Sequence, residues 1–453
     1  VTRATAESAA LAAGPRVALA RADTAAARAA AITARERPNP SLALQSTGAP
    51  PQRHVIMDLP FDAPWVRGPR VGAATALRRA SQLRFISERA QALLEVDTTY
   101  TRALGAQARF RLSRQTARDA DSLRKMTVSR RDAGDASDLD VDLATVTAGQ
   151  QLNMAASDSL TYMSTLLTVQ TLMGVPVDSV SIVLVDSLRL GAADTRELLR
   201  LADSARVAAS VGIAVAPPSM PTAAITLPPS TPTTARVGAN PPAAAQPGAA
   251  PTAPGGAAAN APAAGAMSGP SVVGITPSVA AAEANLQATE MAITRERRSV
   301  FGVPSLQFGV EWHDPQVDPQ NVNEKLWVFG LAIPLPLFNQ NQGAIALARA
   351  ERDRARAELT AARLTARQRL VEALHEMASL RARVARDQEL VVSADRVASK
   401  SLEAYREGAS ALPAVLEARR TAREVLGQYI DDLTALITLQ AELRVLTPTV
   451  SPQ

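Results

Sequence analysis

The 453-residue chain contains no cysteine. Disulfides, thiolate metal sites, cysteine nucleophiles and an N-terminal lipidated cysteine are therefore all excluded within it. Aromatic residues are only 3% of the sequence, too few for a large aromatic core. No stretch reaches about 18 consecutive apolar residues, so no transmembrane helix is expected, and any membrane role must fall to strands. Residues 1–36 lack the basic start and apolar run of a signal peptide, so the reading is of a mature chain or one with a truncated start. Charge of one sign is also missing. With 48 basic against 43 acidic residues the net +5 is small for this length, and no basic stripe interleaved with aromatics suggests nucleic acid as a partner.

What is present is Ala, Arg, Leu and Glu in long runs, broken by one low-complexity segment. From Ala214 to Pro277 the chain is mostly Pro, Ala, Gly, Thr and Ser, and Arg236 is the only charge between Arg206 and Glu283. Such a segment buries too little apolar surface to offset its ordering entropy, and is expected to be a disordered or polyproline-like linker. It divides the chain into residues 1–206, an insert at 207–277, and residues 278–453.

The two flanking segments repeat one another. Gly68 to Gly343 and Gly134 to Gly408 are each about 275 residues apart. Pro38-Asn39-Pro40-Ser41-Leu42 and Val303-Pro304-Ser305-Leu306 precede matching strand patterns, and each pair of strands precedes a long helical pattern. Each repeat is expected to hold a helix (about 1–36; about 278–298), two strands and a long helical hairpin. Alternation marks strands at Ser41–Thr47, His54–Pro64, Ser305–His313 and Lys325–Phe338. Gly68 and Gly343 open the hairpins. A helix from Gly343 to Gly408 spans about 65 residues, or about 100 Å. Leu370, Met377, Val384, Val391, Ala398 and Tyr405 recur every seventh residue along it, and Val415, Ala422, Tyr429, Leu436 and Leu443 on its return. A sustained seven-residue repeat specifies a coiled-coil seam.

Each hairpin is expected to turn at a glycine, Gly134 or Gly408, with Ser137 or Ser410 capping the next helix and Pro413 in the first turn of the last one. Four strands alone leave open edges, which a bilayer does not tolerate. Three copies would supply twelve strands and could close a barrel. The fold class is thus mainly α with a small β part: tandem-duplicated antiparallel coiled-coil hairpins and four membrane strands, completed as a trimer.

Pro334-Leu335-Pro336-Leu337-Phe338-Asn339-Gln340-Asn341-Gln342-Gly343 resembles the second membrane strand and helix entry of the TolC-like outer-membrane efflux proteins, closest to the CzcC-type cation efflux branch. Arg37-Pro38-Asn39-Pro40-Ser41-Leu42 resembles the first-strand counterpart, and Tyr405-Arg406-Glu407-Gly408 with Val415-Leu416-Glu417-Ala418 the second hairpin tip. The resemblance implies a passive homotrimeric duct in the outer membrane, its helices in the periplasm, working with a periplasmic adaptor and an inner-membrane pump. It implies adaptor contact at the tips, through Gly134, Ala136, Ser137 and Leu139 in the first and Gly408, Ser410, Ala411 and Leu412 in the second. In the family an acidic pair rings the constriction after the second tip. Here Glu417 matches one member and Ala414 stands at the other, so three Glu417 carboxylates would attract cations; a solvated helix-surface glutamate is the alternative. Cargo would be metal cations or small toxic solutes. The alternatives are a duct for peptides or proteins, or a soluble periplasmic coiled-coil adaptor.

Trp312 and Trp327 fall at strand ends, where they would anchor at the interface with membrane lipid. Trp65 reads equally as an anchor or a core residue. His54, His313 and His375 lack metal-ligand spacing and read as solvated. No nucleotide loop or nucleophile elbow is present, so neither a cofactor nor catalysis is expected.

Overall fold

The computed structural model describes residues 1–46, 53–189, 276–312 and 325–447. Contacts group Val1–Val211 with Gly274–Gln453 as one unit and set apart Gly212–Val273, which lies outside the described residues with almost all of the 207–277 insert.

The described elements run α1 (Arg3–Ala13), α2 (Pro15–Thr33), β1 (Ser41–Ser46), β2 (Arg53–Pro60), α3 (Pro64–Asp132), α4 (Asp138–Met173), α5 (Pro277–Arg298), β3 (Ser305–Trp312), β4 (Lys325–Ala332), α6 (Gln342–Arg406) and α7 (Leu412–Leu446). The helix expected over 1–36 is in fact two. Gly14 sits at φ −60° and ψ 137°, and a Cβ there would lie 2.3 Å from the Ala10 carbonyl oxygen and 2.9 Å from that of Leu172. The chain turns where only glycine fits, and Pro15 starts α2 at a position that needs no N–H. By the same preference α3 begins at Pro64, four residues before Gly68.

The four strands form one antiparallel sheet in the order β1-β2-β3-β4. Two of them are shorter than their alternation suggests: β2 stops at Pro60 and β4 at Ala332. The apolar run Ile333-Pro334-Leu335-Pro336-Leu337 alternates like a strand, but its prolines cannot donate to a ladder. Instead Pro334 packs on Gly302, where a Cβ would lie 2.5 Å from the Pro334 Cγ and where φ is +56°.

Register gives the sheet two unlike faces. Leu42, Met57, Phe308 and Phe329 align in one row, and Leu44, Val55, Val310 and Trp327 in the next. Leu59, Leu306 and Leu331 continue the same face. The other face carries Ser41, Asp58 and Gln307 in one row and Gln45, His54 and Glu311 in another, with the row Ala43, Ile56, Gly309 and Val328 between them, so its polar groups sit on β1, β2 and β3. A shift of one residue in β2 or β3 would mix the two sets, so side-chain alternation and pairing specify each other there. Phe308 and Phe329 meet edge to face at 5.8 Å between centroids.

The helices pack as two antiparallel hairpins, α3 with α4 and α6 with α7, and α3 also packs against α5 and α7. Every heptad position named on α6 and α7 is buried or half-buried. Ala373, Met377, Leu380, Leu436, Leu439 and Leu443 form the core of the second hairpin. The first is closed by Val96, Tyr100, Ala103, Leu104, Leu166, Val169 and Met173, with Ala6 and Ala10 of α1. Small side chains let backbones approach: a Cβ on Gly105 would lie 2.5 Å from Thr434 Oγ1, where α3 crosses α7.

Charges reinforce the seams. Arg383 of α6 forms a bidentate ion pair with Asp432 of α7, which is 3% exposed and also accepts from Gln428 at 3.0 Å. Asp97 of α3 lies between Arg3 at 3.0 Å and Arg444 at 3.9 Å, tying α1, α3 and α7 together.

Candidate functional site: the paired hairpin tips and the two-faced sheet

Both hairpins turn at left-handed glycines. Gly134 has φ +87° and Gly408 φ +77°. Beyond Gly134 the Asp135 N–H donates to the Arg130 carbonyl at 2.8 Å, and beyond Gly408 the Ala409 N–H donates to the Ala404 carbonyl at 2.8 Å. These six-to-one bonds satisfy helix-end carbonyls that would otherwise be orphaned.

The helix starts differ. Ser137 caps α4 in a reciprocal box: its Oγ accepts from the Asp140 N–H at 3.2 Å, while its own N–H donates to the Asp140 carboxylate at 3.1 Å. Ser410 makes no such cap. The residue before α7 is Ala411, and no side chain bonds the first turn. Pro413 removes one of the donors that a cap would serve.

Of the eight tip residues singled out, Gly134, Ser137, Leu139, Gly408 and Ala411 are exposed, and Ala136 and Ser410 are half-buried. Leu139 is 67% exposed, a large apolar side chain with nothing over it in the protomer. Leu412 corrects the expectation. It is 2% exposed and packs with Leu123, Ala144, Tyr405 and Val415, holding the tip together from inside.

The two tips are joined by a contact that inspection of the sequence missed. The Arg130 guanidinium lies over the Tyr405 ring, 4.7 Å from its centroid. Its Nη1 donates to the Tyr405 carbonyl at 2.5 Å, and the Tyr405 hydroxyl lies 3.3 Å from Thr127 Oγ1. A Cβ on Gly408 would make only an ordinary contact with Arg130 Nη2, at 3.7 Å, so the glycine serves the turn through its φ of +77° and not the latch. The end of α3 is thus latched to the end of α6. The available signal was an aromatic heptad residue three positions before a turn glycine, facing a repeat-related tip rich in arginine.

Glu417 is exposed in the second turn of α7 and lines a 630 Å³ groove between α4 and α7. Arg419, Arg420, Arg423 and Glu424 line the same groove. Arg420 pairs with Glu424 at 2.9 Å, and Arg423 donates to the Gln151 side-chain oxygen at 2.6 Å. Arg419 donates to the Asp119 carbonyl at 3.2 Å, and burial lowers its pKa against the opposing pull of Asp119. Glu417 therefore lies among three arginines, not in an acidic patch. Ala414 is exposed and contributes no charge.

Asn341, within the strand-to-helix motif, ties the start of α6 to the end of α5. At φ +58° it precedes α6, and its Nδ2 donates to the Glu296 carbonyl at 3.1 Å, the Glu296 carboxylate at 3.0 Å and Ser299 Oγ at 3.0 Å. Burial alone would raise the Glu296 pKa, but hydrogen bonds from Arg295 and Asn341 outweigh it and lower the value.

Trp327 projects from the apolar face of the sheet and is 71% exposed. Trp312 shares that face, half-buried, in the row of Arg53 and Lys325. Trp65 is 50% exposed in the first turn of α3 and is not a core residue. His54 is a strand residue and not a solvated loop histidine: its Nδ1 lies 3.0 Å from Glu311 on the polar face. His375 is exposed on α6, and His313 lies outside the described residues. Among the described residues no cluster of three or more His, Asp or Glu could hold a metal ion, and no helix is long and apolar enough to cross a membrane.

Residues 275–448 match the family described as outer membrane efflux protein. No curated protein matches the sequence. Among solved structures, the CmeC outer membrane channel of Campylobacter jejuni superposes with a TM-score of 0.68 at 14% identity, over 98% of this chain and 85% of that one. A membrane protein from Pseudomonas aeruginosa gives 0.67 at 19% identity, over 98% and 93%. CusC, described through conformational changes accompanying folding and transmembrane channel formation, gives 0.66 at 14% identity, over 98% and 91%.

Proposed function

We propose that this chain, which has the TolC-like fold and whose residues 275–448 match the outer membrane efflux protein family, is a passive trimeric duct for metal cations or small toxic solutes. The observation that carries this reading is the two-faced sheet. One face carries apolar rows from Leu42 to Trp327, bounded by Arg53 and Lys325, and the other carries Asp58, Gln307, His54 and Glu311 around a row of Ala43, Ile56, Gly309 and Val328. This division supports a lipid-facing and a water-facing wall. Among the described residues β1 and β4 each pair on one side only. Three copies closing at those edges give twelve strands with every backbone group satisfied.

The helical hairpins lie on the periplasmic side, with the tips farthest from the sheet along the helix. Gly134, Ala136, Ser137 and Leu139 form one contact surface for a periplasmic adaptor, and Gly408, Ser410 and Ala411 the other. An inner-membrane pump selects the cargo, so the duct needs only to pass it. Glu417 is the pore-lining acid of the constriction, with its charge tempered by Arg420 and Arg423. Trp312 and Trp327 anchor the sheet at the lipid interface.

The test is purification from an outer-membrane fraction. A heat-modifiable trimer with channel conductance is expected, and a soluble monomer without conductance would sink the proposal. In the same bilayers Glu417→Ala should move ion selectivity toward anions by a modest factor, about two- to threefold on the scale of one screened charge per protomer. Unchanged selectivity would remove Glu417 from the pore.

A further inference from the structure

Where β2 passes into α3, a cavity of 830 Å³ opens beside the end of α2. Its floor is apolar, made by Leu59, Pro60, Phe61 and Val71, and its rim carries the guanidinium groups of Arg35, Arg37 and Arg67. The only carboxylate in the lining is that of Asp62, and it is already engaged. Its side chain is 6% exposed, and its Oδ2 takes Arg70 at 2.8 Å, leaving Arg67 Nε a long contact at 3.4 Å. Arg67 Nε is buried without a hydrogen-bond partner. Among the described residues neither the Arg35 nor the Arg37 side chain forms an ion pair. With Arg70 taking up Asp62 from outside the lining, the three guanidinium groups of the cavity face no free acid, and a buried donor is left over. Buried donors of that kind normally have an acceptor.

The apolar side of the cavity is continuous with the sheet. Leu59 belongs to the same face as Leu306 and Leu331. Phe61 and Trp65 are 48% and 50% exposed just beyond the strand end. A ligand suited to this place needs an anionic head for the arginines and an apolar tail for the face above it. Guanidinium groups bind phosphate through paired charge-assisted hydrogen bonds.

We propose that this cavity seats the headgroup phosphate of an anionic glycerophospholipid, with its acyl chains lying along Leu59, Phe61 and Trp65. The proposal rests on the reading of the apolar face as the lipid-facing wall. It gives each protomer a lipid clamp at the level where strands become helices, fixing how deep the sheet sits.

The experiment uses the full-length trimer, delipidated in detergent and titrated with phosphatidylglycerol, with bound lipid counted by native mass spectrometry. Up to three lipids per trimer are expected, and phosphatidylcholine of equal chain length should bind at least about tenfold more weakly. Arg37→Gln with Arg67→Gln should weaken phosphatidylglycerol binding by about tenfold or more, the scale of one lost charged hydrogen bond. Arg37→Gln alone makes a second variant that breaks no ion pair, and Arg363→Gln serves as a remote control that leaves binding unchanged. Equal binding in wild type and both Arg37 variants, or equal binding of the two lipids, overturns the proposal. So does full competition by millimolar inorganic phosphate, which would mark a free-anion site. Conductance of the same preparations separates this from the channel assignment. A conducting trimer whose lipid binding ignores the arginines refutes the clamp alone, whereas a non-conducting monomer refutes the duct.

Discussion

The latch between the hairpin tips sets a measurable barrier to their separation. Arg130 contributes a cation–π contact to Tyr405 at 4.7 Å and a charged hydrogen bond to its carbonyl at 2.5 Å. At a half-buried site the first contributes about 1 kcal/mol and the second about 1.5 kcal/mol, near the lower end for charged donors. Together they hold the tips by roughly 2.5 kcal/mol, or about 70-fold in an opening equilibrium. The chain has no cysteine, so Ser410→Cys supplies a unique, half-buried thiol at the tip. In the trimer, maleimide should label that thiol tens of times faster when Arg130→Ala is added, in the regime where opening and closing are fast relative to labelling. Arg130→Lys, which keeps the charge and loses the planar fork, should fall between the two. Equal labelling rates with the trimer intact would mean that the contact does not restrain the tip, and the reasoning would fail.

Gly408→Ala should destabilise the second tip by about 1–2 kcal/mol, because φ +77° is strained for any residue with a Cβ; a lower dissociation temperature of the trimer would register it. Phe329→Arg puts a charge on the apolar face and should cost about 2–4 kcal/mol near mid-bilayer. Gln307→Arg, on the polar face beside Asp58, should leave membrane insertion unchanged. Comparing heat-resistant trimer yield distinguishes the two faces. Asp97 has its pKa raised, by burial first and against the opposing Arg3 and Arg444. A raised carboxyl contributes stability that is full below its unfolded value of about 4 and lost as pH rises through the folded value. Lowering the pH from 7 toward 4 should therefore stabilise the wild type more than Asp97→Asn, read as the difference in thermal midpoints. The difference is needed because Glu296, with its lowered pKa, pulls the other way.

Local rules made much of this architecture readable. The strands follow two-residue alternation, the hairpin seams follow the seven-residue repeat, and Gly134 and Gly408 turn where a left-handed residue is required. Readings failed where two local signals competed or where a partner was distant in sequence. Ile333 to Leu337 alternates in hydrophobicity, yet its prolines forbid a strand. Gly14 looks like a tolerable glycine in an alanine-rich helix until the Leu172 carbonyl is found beside it. Ser410 has capping chemistry but sits one residue too early. Leu412 looks like an exposed tip residue because its cover, Leu123 and Ala144, comes from the other hairpin. The Arg130–Tyr405 latch joins residues in different repeats: Tyr405 is legible as a seam residue, but nothing local to either pairs it with Arg130.

The half-paired outer strands also constrain how the protein is made. A lone protomer placed in lipid would leave the free sides of β1 and β4 without hydrogen-bond partners, at several kcal/mol for each group. In the proposed duct, insertion and association are then a single event, and a folded membrane monomer is not a way-station on that route. Yield should depend steeply on the local supply of chains, since stability is inseparable from protomer concentration in such an assembly. Surplus copies would accumulate outside the bilayer, with the apolar row from Leu42 to Phe329 uncovered, as substrates for chaperones and proteases.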